Sequence, residues 1–306
     1  MDVREWALII FTILAQMSVG SFLVLGVAHF FAVRKAGIEE ADRLSDRALL
    51  AIGPVLVLGL LASLFHLGDP FSAYRAVSNL GSSWLSREIF FGVLFAVLGG
   101  AFALAQWRKI GTPTARNVLA WIAALAGLGL VLSMSFVYLL PTQPAWNSWA
   151  TPVTFFTTTL LLGSLAIGVA FVTNYAYLQR NEPGCAEVQC SLMRDTLRWI
   201  AVASVVLLGI ELVTVPLYLV SLATGPSAAV ESVQLMSGPF EWVLVLRLVL
   251  AVLGAGVFAL FLYRNALSPG REKVLGNLAY TAFAFVLVAE VLGRVLFYAT
   301  HVRIGI

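Results

Sequence analysis

Ionisable side chains are scarce in this 306-residue chain, yet six of them crowd into one short region. His66, Asp69, Tyr74, Arg75, Arg87 and Glu88 fall within HLGDPFSAYRAVSNLGSSWLSREI, residues 66–89. A histidine and a carboxylate held near each other can accept protons close to neutral pH. A second set is dispersed: Glu211, Arg247, Glu290 and Arg294 each interrupt an apolar stretch. Glu290 and Arg294 stand i,i+4 in the order that favours an ion pair on one helix, so they are expected to neutralise each other. Arg247 has only Glu241 nearby, six residues away on another face, and must reach a different helix or water. Metal chemistry is poorly supplied. There are three His, and the two cysteines, Cys185 and Cys190, have no further soft ligand beside them; a structural metal site uses four. Phosphate-binding loops, dinucleotide fingerprints, HExxH and the nucleophile elbow are absent from the sequence.

The elements that position these residues follow from composition. The chain is 60% hydrophobic and 11% charged, with a mean hydropathy of +0.93. A soluble domain averages roughly 45–50% apolar and about 25% charged, so this chain belongs in a bilayer. Eight stretches are long enough to span hydrocarbon: 6–33, 49–67, 84–107, 118–140, 152–178, 197–222, 240–263 and 275–299. Backbone amides in lipid need internal partners, so the stretches are helices. The expected fold is an all-α integral membrane protein, a single domain over residues 1–306 built as a bundle of eight transmembrane helices.

Cations orient the bundle. The connections after spans 1, 3, 5 and 7 hold Arg34, Lys35, Arg43, Arg47, Arg108, Lys109, Arg116, Arg180, Arg194, Arg198, Arg264, Arg271 and Lys273, thirteen of the 19 Lys and Arg. The opposite side holds Arg4, Arg75, Arg87 and Arg303. The odd-numbered connections, with Cys185 and Cys190 in one of them, therefore face the cytoplasm, and both termini face outward. The net charge of +3 reports this orientation; nucleic acid is excluded as a partner.

With that topology, His66 ends span 2 and Glu88 opens span 3, both on the outer side. Asp69-Pro70 reads as a helix start and Gly81 as a stop. Apolar residues recur every three positions between them, so 70–80 is expected to form a short surface helix, a lid. Glu211, Arg247 and Glu290 fall in the outer half too, which suggests a polar pocket there. A plainer reading stands beside this one. Helix dipoles favour an anion at the start of span 3 and a cation at the end of span 2, and His29 and His301 read as interfacial. Outer loops 68–83, 141–151 and 223–239 carry Phe71, Tyr74, Trp146, Trp149, Leu235 and Met236, which are expected to be exposed and to dock a partner. Bis-histidine haem needs two imidazoles at one depth, and only His66 and His301 share a side. A quinone head group, flat and apolar with two oxygens to be hydrogen-bonded, suits the pocket better.

The 66–89 run resembles the signature of the DmsC family, the membrane anchors of bacterial dimethyl sulfoxide reductase and related molybdenum oxidoreductases, and the eight-helix pattern is similar throughout the chain. The resemblance implies a haem-free, metal-free anchor in the bacterial inner membrane that oxidises menaquinol. Its electrons would pass to a four-cluster iron–sulfur subunit and then to a molybdopterin catalytic subunit, both on the outer face. It places the quinol-site histidine and glutamate at His66 and Glu88. Arg87 joins the candidate site as a counter-charge and Tyr74 as part of the lid, and Arg247, Glu211 and Glu290 join it from their depth. Two other readings fit eight helices: a polysulfide- or nitrite-reductase-type anchor that also moves protons, and a secondary transporter using Pro216 to break span 6. The shortage of His yields a spectroscopic expectation: the purified chain shows no stoichiometric b-type haem absorption, and a band abolished by changing His66 would refute it.

Overall fold

Capping residues set several helix ends. Ser83 accepts from the Ser86 amide (3.3 Å) at the start of one helix, and Thr112 accepts from the Ala115 amide (3.2 Å) with Pro113 in the first turn of the next. A computed structural model describes residues 3–64, 78–181, 186–266, 268 and 270–305. The helices are α1 (Val3–Ala36), α2 (Ile38–Leu64), α3 (Trp84–Trp107), α4 (Pro113–Val137), α5 (Ala150–Asn181), α6 (Ala186–Ala223), α7 (Ser227–Ser237), α8 (Glu241–Ala251), α9 (Ala259–Ala266) and α10 (Glu272–Ala299). A π-helical stretch, Val252–Phe258, joins α8 to α9 within one span. Among the described residues eight helices are long and apolar enough to cross a bilayer.

Two helices begin about three turns before the expected spans. α2 starts at Ile38 rather than 49, and α6 at Ala186 rather than 197. Hydropathy registers the hydrocarbon thickness, whereas side-chain pairing carries these helices beyond it. On α2, Asp42 and Asp46 both accept from Lys109 (2.6 and 2.8 Å) and from Gln106 (2.8 and 3.0 Å). Part burial opposes the Lys109 charge, but the two carboxylates outweigh it and hold the ammonium above its ordinary pKa. His29 bonds Ser45 (2.8 Å) in the same cluster. The early start of α6 corrects the placement of Cys190 in a loop. It is buried on α6, with its thiol on Glu272 (3.3 Å).

The centre of the bundle is the crossing of α1 and α5, the two most buried helices. A Cβ at Gly20 would lie 1.8 Å from the Thr159 carbonyl oxygen, and one at Gly163 would lie 2.2 Å from the Gly20 carbonyl carbon. Glycine is required at both positions so that the backbones can touch, the means by which helices associate where lipid offers no hydrophobic gain. α6 runs unbroken through Pro216, so the broken-helix device of the transporter reading is not built there.

At one end of the bundle lie the turn before α3, the α4–α5 connection, α7 and the C-terminus, where the Ile304 amide donates to the Thr142 carbonyl (2.9 Å). The cation-rich connections lie at the other end. By the cation distribution, the Thr142 end is expected to be the outer one. In a protein whose native cysteines are replaced by serine, Asn147→Cys should react with an impermeant thiol reagent in intact cells, and Thr114→Cys only after permeabilisation. The reverse pattern would invert the topology.

Candidate functional site

The α3 start is held by its own side chains. Arg87 donates to the carbonyls of Leu80 (2.8 Å) and Gly81 (2.7 Å) and lies over the Trp84 ring at 4.2 Å. The guanidinium proposed as a counter-charge is thus committed to closing the turn. One residue further, Glu88 points inward and is buried, with no hydrogen-bond or ion-pair partner among the described residues. His66 and Tyr74 lie outside the described residues, as do 70–77 of the expected lid; its last part, at Ser78 and Asn79, is a short 3₁₀ turn.

Glu88 faces a layer of polar groups crossing the bundle. Its carboxyl acts electrostatically on Tyr138, at the end of α4, and on Tyr298 of α10. The two phenols hydrogen-bond each other. One turn inward from Tyr298, Arg294 donates to Gln16 of α1 (2.9 Å) and packs over the Phe155 ring at 3.6 Å. Gln16 in turn donates to the Phe155 carbonyl (3.0 Å). Glu290, another turn inward, accepts from Thr158 of α5 (2.6 Å). Arg247 of α8 pairs with Glu211 of α6. Arg247 therefore does reach another helix.

The expected Glu290–Arg294 pair is not formed among the described residues: Glu290 turns to α5 and Arg294 to α1. Each finds a partner on the helix it packs against, and neither partner is another charge. Gly293 makes room for the other arginine, since a Cβ there would lie 2.7 Å from Arg247 Nε. A cleft between α5, α6, α8 and α10 ends on these groups. Thr154, Thr158, Thr214, Tyr218, Arg247 and Glu290 line it. Glu211 Oε2 and Arg247 Nε are buried beside it without a hydrogen-bond partner among the described residues. Its free volume is about 80 Å³, enough for several waters.

Two expectations for the outer surface are corrected. Met236 is buried on the inner face of α7 against a cluster containing Ala145, Leu222 and Ala229, because that short helix is amphipathic. Trp146 stacks on Phe297 and His301 and donates to the Phe297 carbonyl (2.7 Å). Trp149 is exposed. Tyr138, Tyr298, Gln16 and Thr158 escaped the reading from sequence. The available signals were Gln16 alone in an apolar helix and the threonine run 157–159 in another.

The family model described as DMSO reductase anchor subunit (DmsC) matches residues 1–300. The YnfH polypeptide of an anaerobic dimethyl sulfoxide reductase of Escherichia coli is 30% identical over 99% of this protein and 96% of its own length. The C subunit of the anaerobic dimethyl sulfoxide reductase of E. coli is 29% identical with the same two coverages. Its counterpart of the same name from Haemophilus influenzae is 28% identical over 98% of this protein and 96% of its own length.

The Arg247–Glu211 pair is buried on both sides, with side-chain exposures of 13% and 3%. Removing one partner strands the other charge. Arg247→Met should therefore cost about 3–5 kcal/mol of stability. The double change Arg247→Met with Glu211→Met should recover most of it. A thermal unfolding cycle in detergent that includes Glu211→Met alone measures the coupling, and single losses that add up to that of the double variant would show that the charges do not interact.

Proposed function

We propose that this protein, which belongs to the DMSO reductase anchor subunit (DmsC) family, oxidises a quinol in the outer half of its bundle and hands the electrons to a partner subunit on that side. It is a multi-pass protein of the bacterial inner membrane and the membrane anchor of a molybdoenzyme complex. The proposal adds the quinol, taken to be menaquinol, and an iron–sulfur subunit between the anchor and the molybdopterin subunit.

One observation carries the reading: the buried carboxyl of Glu88, one turn inside the outer end of α3, without a partner among the described residues. An unpaired carboxyl inside a membrane span is costly and marks a functional position. Quinol oxidation releases two electrons and two protons. The electrons leave for a one-electron acceptor in the partner, and the protons need bases at the two ring oxygens. Glu88 would take one and His66, at the end of the preceding span, the other. The phenols of Tyr138 and Tyr298, within electrostatic reach of Glu88, supply hydrogen-bonding groups that bear no charge, suited to a neutral ring.

The transporter and proton-moving readings gain no comparable support. Glu211 is matched by Arg247 and Glu290 is held by Thr158, an arrangement that serves packing without any transported ion. Glu88→Gln preserves shape and removes the base. It should leave the complex assembled and lower quinol-dependent turnover by about 10²-fold. An artificial donor that reduces the partner subunits directly should support normal turnover. His66→Phe should in addition weaken binding of quinol-analogue inhibitors. Full quinol-dependent activity in both variants would move the site to the cleft at Arg247 and Glu290.

A further inference from the structure

At the cytoplasmic end, a groove of about 540 Å³ runs between the last turns of α1 and the overhanging first turns of α6, with Tyr263 of α9 beside it. Arg34, Lys35 and Arg198 line its rim, and Phe31, Trp199 and Val202 continue it toward the membrane. The level of the rim is set by contact between the helices. Lys35 pairs with Asp195 and donates to Ser191 (3.0 Å), and Asp195 lies 3.8 Å from Arg198. One carboxylate thus serves two cations.

Several other cations of this end are committed to protein partners. Lys109 holds Asp42 and Asp46, Arg43 pairs with Glu39, Arg47 donates to Asn174, and Arg271 donates to Asn265. At the groove, by contrast, Arg34 has no carboxylate partner among the described residues and rests over the Phe30 ring at 4.2 Å. Arg198 Nε is buried there without a hydrogen-bond partner among the described residues. Three cations against Asp195 leave a formal excess of two positive charges. Immediately below, Phe31 and Trp199 are 60% and 73% exposed.

We propose that this groove binds an anionic phospholipid of the inner leaflet. Its phosphodiester groups would sit on Arg34, Lys35 and Arg198, and its acyl chains would lie along Phe31, Trp199 and Val202. Basic pockets between spans on the cytoplasmic side have this chemistry. The double positive excess matches a headgroup with two phosphates, so diphosphatidylglycerol is the best-fitting lipid. The site is independent of the quinol reading, since it lies at the opposite end of the bundle.

The test is lipid retention by the intact complex, transferred into mixed vesicles of diphosphatidylglycerol and phosphatidylethanolamine, re-extracted in mild detergent and weighed by native mass spectrometry. The wild type should retain diphosphatidylglycerol over phosphatidylethanolamine. Each cation removed should cost about fivefold in retention, so Arg34→Gln with Arg198→Gln should lose roughly 25-fold. A control pair, Arg271→Gln with Lys273→Gln, should retain lipid as the wild type does. Should the double variant fail to assemble, Arg34→Gln alone, on an exposed side chain, reads the same preference at about fivefold. Equal retention by the groove variants and the wild type would overturn the proposal. So would displacement of the lipid by millimolar inorganic phosphate, which would make the groove a phosphate site.

Discussion

The backbone contact between α1 and α5 is the constraint from which the buried polar layer hangs. Gly20 and Gly163 bring the two helices so close that no side chain fits between them. One turn outward from Gly20, this approach sets Gln16 against the Phe155 carbonyl. Gln16 can then accept from Arg294, and that arginine lies over the Phe155 ring. A separation larger by the width of one methyl group would leave the Gln16 amide and the Arg294 guanidinium without these partners.

The charged groups buried in this bundle are satisfied across helices rather than along them, whereas many hydroxyls bond back along their own helix. A helix offers i,i+4 partners at no topological cost, and exposed Arg43 and Glu39 use that geometry. Deeper in the membrane the pattern changes. Arg247 crosses to Glu211, Glu290 to Thr158, and Arg294 to Gln16. Each crossing ties a different pair of helices, so the hydrogen bonds that offset desolvation also specify how the helices are arranged. Glu88 departs from this pattern. Among the described residues it lacks such a partner, and it occupies the position where the resemblance to the anchor family expects a proton acceptor.

The two ends of the bundle are built differently. Charges at the cation-rich end pair with each other and extend α2 and α6 beyond the hydrocarbon. At the opposite end, aromatic residues close the structure, with Tyr138, Trp146, Phe297 and Tyr298 in mutual ring contact. That division suits an anchor. The aromatic end also leaves Trp149 exposed.

The class of the protein, its eight spans and the candidacy of Glu88 were legible in the sequence. Composition decides the solvent, apolar length decides the number of crossings, and a carboxylate at the start of a span stands out against its neighbours. Helix lengths were less legible, because hydropathy stops at the edge of the hydrocarbon whereas salt bridges carry α2 and α6 past it. The partners of the buried charges were legible only in part. That Arg247 must leave its own helix follows from spacing; that it meets Glu211 does not. The separation of Glu290 from Arg294, the pairing of Tyr138 with Tyr298 and the inward turn of Met236 were decided by tertiary structure. The two phenols that meet stand 160 positions apart, and such contacts depend on helix rotations that the α1–α5 crossing sets and no local pattern records.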